Sequence, residues 1–332
     1  MADLGLFGTD DFSLQALTAA INSFPPTPKR IAQLKLFSEI PIASTTFVVE
    51  KHNDTLTLVP NQSRTIATPN ATGGGSRSVV SFTTSHLPTQ DTLTPDDIQN
   101  VRAFGSADDL QTMQQFVSER LAKMRRRIDA TIEYQRLGAI QGKVLDSDGV
   151  TVIEDMFTKF GLTQQTAAMN LGDAATNVKD KLDTAVDLMD QALADEQYED
   201  IRVLCGSNFY KSLTGHPKVE KAFQLTDKSS VLYKSTRKEF DFDSVIFEPY
   251  KSVVGGSALL GDDGAYMIPV GVPDLLQTVF APANYNETAN TRGLPYYAKQ
   301  ESKPLGKGIL LEAQSNPMSI CTRPRAIIKL TV

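Results

Sequence analysis

The sequence predicts an α+β protein with an extended N-terminal portion, one long helix and a second unit in which helices and strands alternate. Three patterns carry that prediction. Across 106–140, apolar residues recur at spacings of three and four, the repeat of one helix face. Within 46–84, runs rich in β-branched and aromatic residues flank a glycine-rich stretch, as in a hairpin. Beyond about residue 175 helical and strand periods take turns, and after about 290 the pattern is strands to the end. With 332 residues and 41% hydrophobic content, the chain can bury a sizeable core in about two domains.

Residues 1–45 read as an arm. Phe12 to Ile21 has the composition of a short helix, and Phe24-Pro25-Pro26-Thr27-Pro28 stops it, because proline fixes φ and lacks a backbone donor. A second short amphipathic piece runs from Arg30 to Phe37. Two readings stand side by side: an arm that binds another molecule, or a strap across its own subunit. Strands follow at Thr46–Glu50, at Thr55–Val59, which alternates with period two, and at Ser78–Thr83, the return. Between the last two lies Pro69 to Ser76 with Gly73, Gly74 and Gly75 at its tip. An isolated hairpin is marginal in water, so one this long and polar points to support from neighbouring chains.

The long helix begins with Ser106 as N-cap and Asp108 and Asp109 in its first turn. Leu110, Met113, Val117, Leu121, Met124, Ile128 and Ile132 make one narrow stripe, and the helix would be on the order of 50 Å long. The other faces carry Arg120, Lys123, Arg125, Arg126, Arg127 and Arg136, readable as a solvated face with local ion pairs or as a contact for DNA. Gly142 ends the helix, and Asp146-Ser147-Asp148-Gly149 is the turn of a short hairpin between Lys143–Leu145 and Val150–Ile153. Met156, Phe157, Phe160 and Leu162 close that unit. After a polar boundary at about 165–175, Val178, Leu182, Val186, Met189 and Leu193 line a helix face, and Ile201–Cys205 is a buried strand. Ser207 caps a short helix, Pro217 opens another, and strands follow around 245–247 and 265–268. The closing strands are Tyr296–Gln300, Gly308–Glu312, Met318–Cys321 and Ala326–Val332.

The formal net charge of -6 argues against a dedicated nucleic-acid binder, which would carry a basic face. Cys205 and Cys321 sit in apolar surroundings and read as buried free thiols, compatible with synthesis in a reducing cytoplasm. The N-terminus lacks the basic and apolar regions of a secretion signal, and no apolar run approaches the roughly 20 residues of a membrane span. The sequence shows no catalytic or metal-binding signature. His52, His86 and His216 are far apart and read as turn or surface residues. Asp146 to Gly149 lacks the spaced third ligand and closing Glu of a calcium loop. Gly73-Gly74-Gly75 is not followed by Lys-Ser or Lys-Thr, and Gly306-Lys307-Gly308 is too short to read. No cofactor is expected.

The order of parts resembles the Hong Kong 97-type fold of tailed-phage major capsid proteins, and more narrowly the lambda-type major capsid protein E family. The stretches that carry the resemblance are Phe12 to Asn22, Asp97 to Gly105 before the long helix, Gly142 to Gly149 after it, and Arg323-Pro324-Arg325-Ala326 before the last strand. It implies an N-terminal arm at 1–45, an extended loop (the E-loop) at 46–84, and a peripheral domain at 85–164 containing the spine helix 106–140. It further implies an axial domain at 165–290 and strands at 291–332 that return to the peripheral domain. The implied function is a virion head protein, assembled in the host bacterial cytoplasm as pentamers and hexamers into an icosahedral shell around double-stranded DNA. The implied partners are copies of itself, a scaffolding protein, a portal, a possible decoration protein and packaged DNA contacted non-specifically, with no membrane. Candidate inter-subunit residues are Arg64, Arg77, Gly73, Gly74 and Gly75 in the hairpin and Arg120, Arg125, Arg126 and Arg127 on the spine; each arginine also reads as an exposed charge of little consequence. Some family members join a hairpin lysine to a neighbour's asparagine, but this chain has no lysine between Lys51 and Lys123. An encapsulin-like non-viral shell, a soluble α/β enzyme and a minor virion or tail protein are the alternatives.

Overall fold

In the computed structural model, which describes residues 13–25, 29–52, 77–98, 113–194, 196–225, 239–251, 253–254 and 257–332, the Ser13 hydroxyl accepts the Ala16 backbone N–H at 3.2 Å and so opens α1 (Leu14–Ser23). Phe24 leaves the helix in an extended conformation, as a residue before proline does. The next helix, α2 (Arg30–Leu34), ends on Lys35 in the left-handed region. Leu17, Ile21 and Ile31 are all buried on the chain's own core, so both helices of the expected arm lie as a strap across their own subunit. Beyond them β1 is Ser38–Pro41.

The hairpin pairs β2 (Thr46–His52) antiparallel with β3 (Arg77–Thr83), from Thr46 opposite Thr83 to His52 opposite Arg77. Period-two alternation sends Phe47 and Phe82 inward, where their rings stack at 5.6 Å and Phe82 meets Phe160 at 5.9 Å. Lys159 sits over the Phe82 ring and donates to the Ser81 carbonyl at 2.8 Å, fixing the hairpin's base. The expected strand Thr55–Val59 and the glycine tip lie outside the described residues. The strand β4 (Leu87–Leu93) leads to a one-turn helix, α3 (Pro95–Ile98).

The spine, α4 (Met113–Gln141), is described over 29 residues, about 43 Å. Its expected start at Ser106 and Leu110 lies outside the described residues. Val117, Leu121, Met124, Ile128 and Ile132 are buried, as the spacing predicts. From Gln135 to Ile140 every residue is buried, so the spine passes from the surface into the interior. Gly142 stops it at φ +82, and a Cβ placed there would fall 2.1 Å from the Phe157 ring. Gly142→Ala is therefore expected to destabilise the chain by about 2 kcal/mol, combining the left-handed penalty with the clash; a urea midpoint equal to that of the parent would contradict this.

Next come β5 (Lys143–Leu145) and β6 (Val152–Asp155), whose turn closes with Gly149 N–H donating to the Asp146 carbonyl at 2.9 Å. Asp148 accepts the Val150 and Thr151 N–H groups at 2.8 Å each, which closes the hairpin turn. A short α5 (Met156–Phe160) follows.

The largest sheet draws on β7 (Thr166–Ala168), β8 (Asp200–Cys205), β9 (Phe240–Phe242), β10 (Val245–Pro249), β13 (Gly264–Val270) and β18 (Ile328–Thr331), in the order β7-β18-β13-β8-β10-β9. The small β11 (Val253–Val254) and β12 (Ser257–Ala258) pair with each other. On the sheet lie α6 (Val178–Leu193), with Val178, Leu182, Ala185, Met189 and Leu193 buried, then α7 (Ser207–Thr214) and α8 (Pro217–Leu225). Two expectations are corrected here. Gly206, not Ser207, is the N-cap of α7; a side chain at Gly206 would collide with the Gly261 carbonyl. His216 is buried rather than exposed: it accepts the Lys218 N–H at 3.3 Å, capping α8, and its Nε2 meets the Asp173 carbonyl at 3.0 Å.

Two three-stranded sheets complete the fold: β1 with β14 (Leu276–Phe280) and β17 (Pro317–Cys321), and β15 (Tyr297–Ser302) with β16 (Ile309–Ser315) and β4. The closing strands thus do not return together. While β15 and β16 join β4, β18 pairs antiparallel with β13 and parallel with β7 in the large sheet, where Ile328 and Leu330 are wholly buried. Cys205 and Cys321 are free and buried, and burial pushes the Cys321 thiol up to about 12, leaving it unreactive.

Candidate interaction surfaces

The buried half of the spine carries charges as well as apolar groups, and they hold the strap. Arg125 donates through Nη1 to the Ile21 and Phe24 carbonyls, both at 2.5 Å, at the C-terminal end of α1. Two turns further on, Glu133 accepts the Ile31 and Ala32 backbone N–H groups at 2.8 and 3.3 Å, at the N-terminal end of α2. A cation at a helix C-terminus and a carboxylate at an N-terminus each face the favourable end of the peptide dipoles and satisfy groups the helix cannot. Asp129 lies between them, with Oδ1 accepting the Tyr296 hydroxyl at 2.5 Å and Oδ2 4.0 Å from Arg125 Nε. Arg125 also lies over the Tyr296 ring at 4.5 Å, and Arg136 binds Thr278 and Glu39. On the far side of α2, Glu248 of β10 receives Arg30, a bond that raises the guanidinium's pKa. The strap is therefore tied to both the spine and the large sheet.

This geometry sorts the sequence-predicted contact residues. Arg125 is only 6% exposed and spends its Nη1 hydrogen bonds within its own chain, and Arg136, 8% exposed, is likewise no part of a solvated face. Arg120 is half-buried and paired with Asp91 at 3.0 Å. Arg126 and Arg127 are exposed, with Arg126 folding back onto the Ala122 carbonyl at 3.3 Å. Arg120 and Arg126 line an open groove of about 540 Å³ with Phe116, Glu119, Ala122 and Lys123. Arg64, Gly73, Gly74 and Gly75 lie outside the described residues, and Arg77 is described only through its backbone in β3. The inward arginines were not separable by spacing, because 125 adjoins the apolar stripe as closely as 120 does.

Large apolar side chains on the outside mark further surface. Val48 and Val79, each 60% exposed, share the outer face of the β2–β3 hairpin. Val150 and Val152 stand out at the β5–β6 turn, and Leu305, 87% exposed, at the β15–β16 turn. Among the described residues no group of three or more His, Cys, Asp or Glu side chains is placed to hold a metal ion, and no helix is long and apolar enough to cross a membrane.

The family model for phage major capsid protein E matches residues 13–332. The major capsid protein of Salmonella phage Felix O1 (isolate Felix O1-VT1) is 25% identical over 356 aligned positions, covering 96% of this chain and 95% of that one. Among solved structures, a phage-related protein from Bordetella bronchiseptica RB50 superposes with a TM-score of 0.54 at 10% identity, covering 96% of each chain. The subunit of the bacteriophage PhiM1 mature capsid does so with a TM-score of 0.51 at 11% identity, covering 93% of this chain and 88% of that one. At such identities these structures speak for the fold alone, the Hong Kong 97-type fold.

Proposed function

The chain belongs to the phage major capsid protein E family, and from that premise we propose that its copies form pentamers and hexamers that close into an icosahedral head around double-stranded DNA. It is a structural subunit of the virion capsid, assembled from copies of itself, and not an enzyme. The observation that carries the reading is the extent of the family match, which takes in strap, hairpin, spine and every sheet. In this reading residues 1–45 are the arm, 46–84 the E-loop, 85–164 the peripheral domain and 165–290 the axial domain, while 291–332 serve both bodies, since β18 stays in the large sheet.

Shell formation is repeated binding in which modest interfaces sum through avidity. The outward Val48 and Val79, the exposed Arg126 and Arg127 and the groove beside Phe116 are the surfaces we assign to neighbours. The glycines at 73–75 and Arg64 and Arg77 remain proposed contacts on sequence grounds. Assembly in the host cytoplasm with a scaffolding protein, a portal and a decoration protein belongs to the same proposal. A net charge of -6 fits an inner wall that contacts packed DNA only loosely.

Negative-stain electron microscopy of the purified protein, expressed with and without its neighbouring genes, tests this: closed shells or rings of five and six are expected, and uniform small particles under every condition would overturn it. Because the hairpin carries no lysine beyond Lys51, heads boiled in denaturant should release monomer-sized chain on a gel; a ladder of covalent oligomers would refute that expectation.

A further inference from the structure

We propose that the β15–β16 turn of one copy docks on the β5–β6 turn of a second copy, a head-to-tail contact built around Leu305. The inference rests on the reading of the chain as a shell subunit and names one of its interfaces.

Leu305 is exposed to 87% and sits at φ +65, ψ 16, a conformation that glycine adopts freely and leucine does not. Inside its own chain the side chain has almost no packing to offset that strain. The turn that presents it is firmly held: Lys303 N–H donates to the Gly308 carbonyl at 2.9 Å, and Lys303 Nζ reaches Thr92 Oγ1 at 3.1 Å. Gly308, at φ +127, lies so close to the Leu93 carbonyl that no side chain fits there. A rigid turn thus offers one strained apolar knob between two cations, Lys303 and Lys307.

The β5–β6 turn has the complementary make-up. Val150 and Val152 are 79% and 49% exposed, and the exposed Asp146 and Asp148 flank them. Opposite charge around matching apolar groups sets register and excludes like partners. The two turns of one chain lie against different parts of the spine. The β15–β16 turn lies beyond β4, whose Asp91 pairs with Arg120, whereas Gly149 adjoins Tyr134. Those spine positions are fourteen residues apart, about 21 Å along the helix. Contact between the turns therefore needs a second copy, and such a heterologous contact generates rings when its rotation closes.

Leu305→Gly separates this contact from folding, because glycine relieves the left-handed strain. In the full chain its thermal midpoint should equal or exceed the parent's, while the protein concentration needed for assembly, read by sedimentation and electron microscopy, rises about tenfold, as when one interface anchor is lost. Lys307→Glu and Asp146→Lys should each impair assembly similarly, and the two together in one chain should restore it, since swapped turns again match between copies. Parent-like assembly of L305G and of both charge reversals would overturn the contact and leave the shell reading standing. Impaired single variants without rescue in the double would also overturn it, pointing to a different partner for each turn. Failure of the parent chain itself to assemble would strike the shell reading instead.

Discussion

Replacing Arg125 with methionine should lower the stability of the unassembled subunit by about 3–4 kcal/mol, the cost of removing one member of a buried charged cluster. Methionine nearly fills the space of the arginine stem, so the loss would be electrostatic rather than a cavity. The Ile21 and Phe24 carbonyls would lose this donor at once, and the Asp129 carboxylate would lose a cation 4.0 Å away. Asp129, 8% exposed, would keep the Tyr296 hydroxyl but lose the compensation of the Arg125 charge, which is costly for a buried carboxylate. The measurement is a urea titration followed by circular dichroism at a concentration below assembly. A loss under about 1 kcal/mol, the size of an ordinary surface pair, would mean that water or another group replaces the guanidinium. Replacing Arg127, which is exposed on the same helix, should be close to neutral in the same assay.

Glu133→Ala should have a comparable effect, about 3 kcal/mol, through a different set of groups. It removes the acceptor of the Ile31 and Ala32 N–H groups and of the Tyr250 hydroxyl, which donates at 3.2 Å. Glutamine should recover part of the loss, because its carbonyl can keep the Ile31 N–H and the Tyr250 hydroxyl while its amide nitrogen faces only the Ala32 N–H. The loss should be felt first in the strap: amide exchange at Ile31 and Ala32 should speed up more than exchange in β8, at the centre of the large sheet. Equal acceleration in both places would show that the strap is part of the global folding unit and not a separately tied element. Tyr250→Phe, which removes one hydroxyl and keeps the ring, should cost about 1 kcal/mol by the same titration. These two spine residues fix where the N-terminal strap lies on its own subunit.

Local patterns were strong enough to be read directly from the chain. The three-and-four spacing of Val117, Leu121, Met124, Ile128 and Ile132 marks a helix with a buried face, and that face is buried. Gly142, Gly149 and Pro217 announce their positions because each permits or fixes a φ that other residues resist. Family membership was legible for a related reason: the order of such elements is written along the chain. Depth was not. Spacing placed Arg120, Arg125, Arg126, Arg127 and Arg136 in one basic group, yet Arg125 and Arg136 are interior and Arg126 and Arg127 are not. A helix's second buried face is created by what lands on it, here α1, α2 and the β1-β14-β17 sheet, and no periodicity within 113–141 encodes those distant segments. The pairing of β18 is the same kind of fact. Its apolar residues 328 and 330 require a covered strand, and two sheets were open to it. The choice of β13 as partner is made by backbone hydrogen bonds between residues some sixty positions apart. By itself, then, the sequence determined the elements, their order and the family. Only the tertiary structure decided which charges became internal ties, which remained exposed, and that Leu305 stands strained and uncovered, because burial and strain are properties of the folded surroundings rather than of the residue.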